Sequence, residues 1–579
     1  MKADIETWME KIEQGVRYKE NFGSAKSWST YRNYGRGIFP GFSNNTDGIL
    51  PYNLVHAMQR GMTPNIYFRN PYISISPRMK PGLDIQSKVV EAVDNWLLDE
   101  LNFKATFKTM VQDAYYTNRA FAKIGYDGIW AENKGSPEEK IAEELGIPLS
   151  QMSKKGKSRV EYNINVKPGS PWVERIMPEM IIVPFGVRTL DNCPWIDHVV
   201  LRELSDVKAD RKYKNTDDLE GTHLEILNKD ASRSNFYKEL SQNVDIVEIH
   251  EIRDMRTRQI MAFVPGHDKW LRPPSDDVLQ IEGLPYVDFT FNEDGEFYWG
   301  PSDVQIIEPQ QLEVNEARTQ AMLHRRISLV KFLVEENGMD PKEVEKMLAD
   351  SVGPVAFTKG KPANIVSMLQ PHIPPDLIQW TEVIRSDVRE LLGTGRQQLG
   401  EAPPGRRTAE EMRQVQAAHD LRMDERRDIV ADALVKTVRK VNQIMFERWT
   451  TDKVAQVVGY DGAKYWVSYK GSENKAEYNL KVDVDSMTPK TKNVKKRELV
   501  ELIQAVGKNP RANVDYLMKL LLREYEWVDA MQVLPDAPET QANPMSQQQF
   551  GDQQTKLMQN PAELSKRATG NAESMRRMI

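Results

Sequence analysis

The sequence predicts an α+β protein. One observation behind this is a run of helix, small α/β insert, helix, Gly/Pro-rich loop and very long helix between residues 301 and 450. The other is a series of short alternating runs between residues 159 and 264 that read as strands of an antiparallel sheet. A chain of 579 residues can bury several cores, so about two to four domains are expected.

Residues 1–50 hold one helix, with Ile5, Trp8, Met9, Ile12 and Val16 near one face, then a polar stretch ending in the turn at 44–48. Helices follow at 84–101 and 105–117, with Val89, Val90, Val93, Leu97, Leu101, Phe107, Met110 and Val111 inward, and a strand at 121–126. The charged segment 132–158 carries Lys154, Lys155 and Lys157, which read as a solvated turn rather than a phosphate contact. Strands are expected at 159–166, 175–183, 198–202, 244–253 and 259–264, with a polar helical excursion over 205–243.

The central stretch has the strongest local signals. Its first helix starts at Gly300-Pro301-Ser302-Asp303 and runs, mostly polar, to Arg326. In the insert, extended runs at 329–334, 354–358 and 365–369 surround a short helix opened by Asp340-Pro341, with Glu343 placed to close a capping box. The second helix opens at Pro374-Pro375-Asp376. Leu377, Trp380, Ile384, Val388 and Leu391 step along it by three and four, onto one face. Gly393-Thr394-Gly395 ends it, and the loop to Arg407 packs no core of its own. Thr408-Ala409-Glu410-Glu411 then begins a helix with no Gly or Pro before Thr450. Residues 406–428 of it are dense in charge and should project to water or to a neighbouring subunit. The half carrying Ile429, Val430, Leu434, Val438, Val441, Met445 and Trp449 should be buried.

Strands at 465–469 and 478–484 are expected to return to the sheet domain. A helix led by Lys492, Lys495, Lys496 and Arg497 follows, then another at 514–525. From Pro535 the composition turns to Gln, Asn, Pro, Ser and Met, which predicts a chain disordered on its own.

Composition excludes several classes. The single Cys193 rules out an intrachain disulfide and fits assembly in a reducing cytosol. No signal peptide is legible at the start, and no stretch approaches eighteen uncharged apolar residues, so no membrane association is expected. A net charge of -6, from 78 basic and 84 acidic residues, argues against tight, non-specific gripping of DNA phosphates. Neither Gly393-Thr394-Gly395-Arg396 nor the run 505–509 has phosphate-loop spacing, so no ATPase motor is expected. His250-Glu251 and His267-Asp268 read as ordinary strand and turn histidines, since no second His stands four residues away on a helix. No catalytic residue, metal site or cofactor is expected.

The order of these pieces resembles the tailed-bacteriophage portal (head-to-tail connector) proteins. Upstream, Pro51-Tyr52-Asn53 and Ile66-Tyr67-Phe68-Arg69-Asn70-Pro71 are similar to the start of a portal wing, as are 178–184, 247–251 and 284–287 to later wing segments; Met487-Thr488-Pro489 resembles the turn into a crown. The resemblance covers roughly residues 30–535 and implies a portal-type architecture assembling as a ring. Residues 1–300 would be an α/β wing, 301–327 and 374–392 the two stem helices, 328–373 a small α/β clip and 393–407 the tunnel loop. Residues 408–450 would be the long helix toward the crown, 451–490 further wing strands, 491–535 crown helices and 536–579 a flexible tail.

The implied function is a conduit at one capsid vertex of the virion, assembled in the host cytoplasm. Its implied partners are other copies of itself in a ring of twelve, double-stranded DNA passing without sequence specificity, the terminase large subunit, head-completion or adaptor proteins, and the major capsid and scaffolding proteins. Leu377, Trp380, Ile384, Val388 and Leu391 become stem-packing residues. Arg396, Gln397, Gln398, Arg406 and Arg407 stand beside the tunnel loop and either touch passing phosphates or, for the arginines, pair with Glu401, Glu410 and Glu411. Lys359 and Lys361 fall at the clip, where motor or adaptor docks. A rival reading is a monomeric or dimeric α+β nucleic-acid-processing enzyme with an unrecognised site.

Overall fold

The structure is a computed structural model. It describes residues 2–22, 27–39, 51–78, 84–126, 170–210, 213–221, 245–279, 281–327, 331–334, 340–348, 366–369, 376–394, 409–449, 453–458, 464–471, 474–483, 492–507 and 514–523. Two compact units share the chain: residues 1–458 with 464–489, and residues 459–463 with 490–579.

In the first unit, α1 (Lys2–Phe22), α2 (Trp28–Gly35) and α3 (Leu54–Ile66) open the chain. Helix α2 was not among the expected elements, because its apolar signal is three aromatic residues in a polar run. Trp28, Tyr31 and Tyr34 recur every third residue and are all buried. Next come β1 (Ile73–Pro77), α4 (Asp84–Glu100), α5 (Phe103–Thr117) and β2 (Arg119–Tyr126). Asn102 and Asn118 flank α5 at positive φ, 52° and 66°; asparagine takes the positive-φ region more readily than other residues with a side chain.

The strands expected in one antiparallel sheet divide between two larger sheets among the described residues, and the expected strand at 159–166 falls outside them. β2 lies between β3 (Pro171–Ile176) and β9 (Tyr286–Thr290), with Ile124 opposite Val173 and Phe121 opposite Asp288. The second is a five-stranded meander of β4 (Ile181–Ile182), β5 (Trp195–Glu203), β6 (Ile246–Asp254), β7 (Gln259–Phe263) and β8 (Arg272–Asp276). Its edge strand β8 carries Pro273 and Pro274, which have no N–H to offer another strand. The short helix α6 (Leu204–Ala209) begins the excursion between β5 and β6; Val207 from it joins Val247, Ile249, Ala262 and Leu271 in a small separate core. Lys123 of β2 crosses to β6, its ammonium 3.0 Å from both carboxylate oxygens of Glu251 with both residues buried. This ion pair ties one sheet to the other.

In the insert, the described residues hold two strands and one short helix. Between α7 (Asp303–Ile327) and α9 (Asp376–Leu392), β10 (Lys331–Val334) pairs antiparallel with β11 (Val366–Leu369), and α8 (Pro341–Leu348) lies between them in sequence. The expected strand at 354–358 falls outside the described residues. The long helix is α10 (Ala409–Arg448), 40 residues. Val430, Leu434, Val438, Val441 and Met445 are buried along it, as their spacing predicts.

Residues 465–469 and 478–484 do not return to the large sheets. β12 (Lys453–Val458) pairs with β13 (Lys464–Tyr469), while β14 (Tyr478–Val482) pairs with β1, Val482 opposite Ile73. The free side of β1 is closed by α4. Asn95 accepts from the Ile73 N–H at 2.9 Å and donates to its carbonyl at 2.8 Å, and Glu91 accepts from the Ile75 N–H at 2.8 Å. In the second unit, α11 (Lys492–Val506) and α12 (Val514–Arg523) pack on each other.

Candidate functional site

Helix α7 starts from a polar root. Ser302 Oγ caps it by accepting from the Gln305 N–H at 3.1 Å. Asp303, 1% exposed, takes a two-bond fork from Arg426 of α10, at 2.6 and 2.9 Å, and a third bond from Asn292 at 3.0 Å. A carboxylate at a helix N-terminus is favoured by the helix dipole as well. One turn on, Glu308 accepts from the hydroxyls of Tyr31 and Tyr34 at 3.2 and 2.9 Å. Burial, then the Glu308 charge, pushes the Tyr31 phenol up to about 12.

Further along, the buried Gln311 and Asn315 serve the start of α3. Gln311 Oε1 accepts from the amides of Leu54 and Val55 at 2.8 and 3.1 Å, and Asn315 Oδ1 accepts from the Tyr52 N–H at 2.8 Å. These amides have no intrahelical partner of their own. Tyr52 is also covered by cations from both helices of the pair: Arg318 of α7 lies 4.2 Å from its ring centre and Arg385 of α9 lies 5.8 Å away.

Helix α9 packs along α7. Ile384, Val388 and Leu392 are buried, but Trp380 and Leu391 are about half exposed, at 51% and 48%. The inward arc is turned toward Leu392 and Arg389, so Trp380 and Leu391 fall on its outer margin beside exposed Val383. Trp380 Nε1 donates to Glu313 Oε1 of α7 at 2.8 Å. Leu312 and Leu323 of α7 are exposed too. The two-helix element therefore offers several large apolar side chains to its surroundings.

The C-terminus of α9 is built on Gly393, at φ +65°. Its N–H reaches the Glu390 carbonyl at 3.1 Å, and the Thr394 N–H reaches the Arg389 carbonyl at 2.9 Å, which closes the last turn. Thr394 is buried against Met58, its hydroxyl 3.8 Å from the sulfur. Arg422 of α10 lies over Gly393 and donates to the Glu390 carbonyl at 3.2 Å. Arg427 donates to the Asn65 carbonyl in the last turn of α3 at 2.8 Å. The charged half of α10 was expected to project toward water or a neighbouring subunit; Asp424, Glu425 and Asp428 are exposed, while Arg422, Arg426 and Arg427 hold the ends of α9, α7 and α3. The signal available in the sequence was the four-residue spacing of Arg422 and Arg426, but nothing in a linear sequence says which helix ends stand opposite.

Of the residues singled out from the sequence, the structure buries Ile384 and Val388 and leaves Trp380 and Leu391 exposed on the single chain. Leu377 belongs to α9, but its side chain falls outside the described residues. So do Arg396, Gln397, Gln398, Arg406 and Arg407, and Lys359 and Lys361 in the insert.

His250 lies inside the five-stranded sheet, Nδ1 2.6 Å from Asp197 and Nε2 3.6 Å from Glu248, with all three residues buried. Burial works against its charge, but the two carboxylates outweigh it and raise the imidazole to about 10. Glu251, next in the chain, points to the opposite face and Lys123. His267 stands in an exposed turn, Nε2 3.2 Å from the Asn215 carbonyl. Among the described residues no group of three or more His, Cys, Asp or Glu is placed to hold a metal. No described helix is long and apolar enough to cross a membrane.

A family model for phage P22-like portal proteins matches residues 202–575, well over half of the chain. No curated protein matches it.

Proposed function

We propose that this chain, which belongs to the phage P22-like portal protein family, is the repeating subunit of a ring-shaped channel at one capsid vertex. Through that channel double-stranded DNA is packaged, retained and later ejected. The subunit performs no chemistry itself: the terminase large subunit supplies ATP-driven force, and head-completion and tail proteins dock on the ring afterwards. The surface of the α7–α9 pair supports this reading. Leu312, Leu323, Trp380, Val383 and Leu391 stand exposed on two helices that bracket a small insert. Each is already about half covered, so burying the rest would contribute about 1 kcal/mol apiece, and a neighbouring copy placed around a central hole supplies the cover.

The ring takes twelve copies in this reading, and DNA slides past the segment between α9 and α10 with transient, sequence-independent contacts from Arg396, Arg406 and Arg407. Mass photometry of the full chain tests it. Particles near twelve times the 66.6 kDa subunit mass, with a hole that admits a duplex in electron micrographs, are expected. A stable monomer at micromolar concentration would overturn it.

A further inference from the structure

Arg422 and Arg426 are one helical turn apart on α10 and so share a face. Each holds a different helix end. Arg422 donates to the Glu390 carbonyl in the last turn of α9, beside the Gly393 N–H that the same oxygen accepts. A Cβ on Gly393 would sit 2.3 Å from Arg422 Cδ, so the glycine leaves the room the arginine fills. Arg426 closes its fork on Asp303 at the N-terminus of α7, with its guanidinium 5.0 Å from the Phe291 ring centre. Between them Met423 is buried, 1% exposed, fixing this turn of α10 in place. The signs of charge match both helix dipoles: cation at the end of α9, carboxylate at the start of α7.

These are the two points where the chain enters and leaves the helix–insert–helix element. We propose that Arg422 and Arg426 form a clamp through which one turn of α10 positions both ends of the α7–α9 pair together, so that a displacement of α10 moves the pair as a unit. Because α10 is also the helix that follows the 395–408 segment, the clamp passes any push on that segment to the channel wall. This last step rests on the channel reading; the coupling itself does not.

Hydrogen exchange on the full chain tests it, read at the Gly393 and Thr394 amides and at the first turns of α7. Arg426→Ala is expected to speed exchange about tenfold in α7 and also to speed it at Gly393 and Thr394, which Arg426 does not touch. Arg422→Ala should do the reverse, and Arg422→Lys, which keeps a cation for the Glu390 carbonyl, should stay near the parent. Arg426→Lys, which keeps a cation for the Asp303 carboxylate, should stay closer to the parent than Arg426→Ala at both sites. Effects confined to the helix that each arginine touches would overturn the clamp. Cross-effects in a chain that stays monomeric would keep the clamp and sink the channel; a ring without cross-effects would do the opposite.

Discussion

Asn442 of α10 donates its side-chain amide to Asp94 of α4 across 2.7 Å, with both residues buried. Among the described residues, the remaining side-chain oxygen of each has no hydrogen-bond partner. A proton on Asp94 removes a charge that burial disfavours and leaves the Asn442 bond in place. Burial, with the nearby Glu91 charge adding to it, raises the Asp94 carboxyl to about 8 even against the Asn442 bond.

The first prediction follows from that pair. The carboxyl is raised on folding, so between about pH 4 and pH 8 the folded chain keeps a proton that the unfolded chain has lost. Stability therefore falls as pH rises through this window, by at most about 1.4 kcal/mol per pH unit. Asp94→Asn keeps the shape without the charge. Its melting temperature should match the parent at pH 4 and exceed it increasingly toward pH 8; parallel curves for the two proteins would rule the pair out.

Lys123 and Glu251 give the second. Lys123→Met leaves the Glu251 carboxylate buried without its closest cation, with Arg253 3.7 Å away, and should cost about 3 kcal/mol in denaturant unfolding. Adding Glu251→Met should recover part of that loss, because the orphaned charge goes with it. A double variant less stable than the single one by the full cost of a second independent site would contradict the pairing.

A third concerns assembly. Val383 and Leu391 are about half exposed on the single chain, so replacing both with serine should change the stability of the unassembled subunit by no more than about 1 kcal/mol. The same pair of changes should shift a ring toward monomers in mass photometry. An unaltered ring would remove these side chains from the subunit contact.

Deletion of residues 397–405 is the fourth. Rings should still form, since the clamp and the α7–α9 pair are intact, while DNA packaging or retention in a packaging assay drops. Wild-type packaging and retention would leave the segment without its proposed part in DNA passage.

Much of the helical frame was legible because its boundaries are written locally. Pro374-Pro375-Asp376, Gly393 and Thr408-Ala409-Glu410-Glu411 mark ends of α9 and α10 whatever lies around them. Strand partners were not legible in the same way. Alternation says that a segment is a strand, not which strand it meets, and β1 and β14 are some four hundred residues apart. The stem-packing face was read to within part of a turn: Ile384 and Val388 point inward, but the choice between Leu391 and Leu392 is made by where α7 lies. The arginines of the clamp looked like solvated charge because nothing in a polar helix face distinguishes water from the end of another helix.

The strand edge that α4 plugs with Asn95 and Glu91 has a bearing on crowding. Where many copies stand shoulder to shoulder, each open edge invites its neighbour to zip on, at any register and in either direction. Satisfying the β1 backbone from within the subunit withdraws that invitation, leaving side-chain fit, which tolerates few wrong alignments, to decide how one copy meets the next.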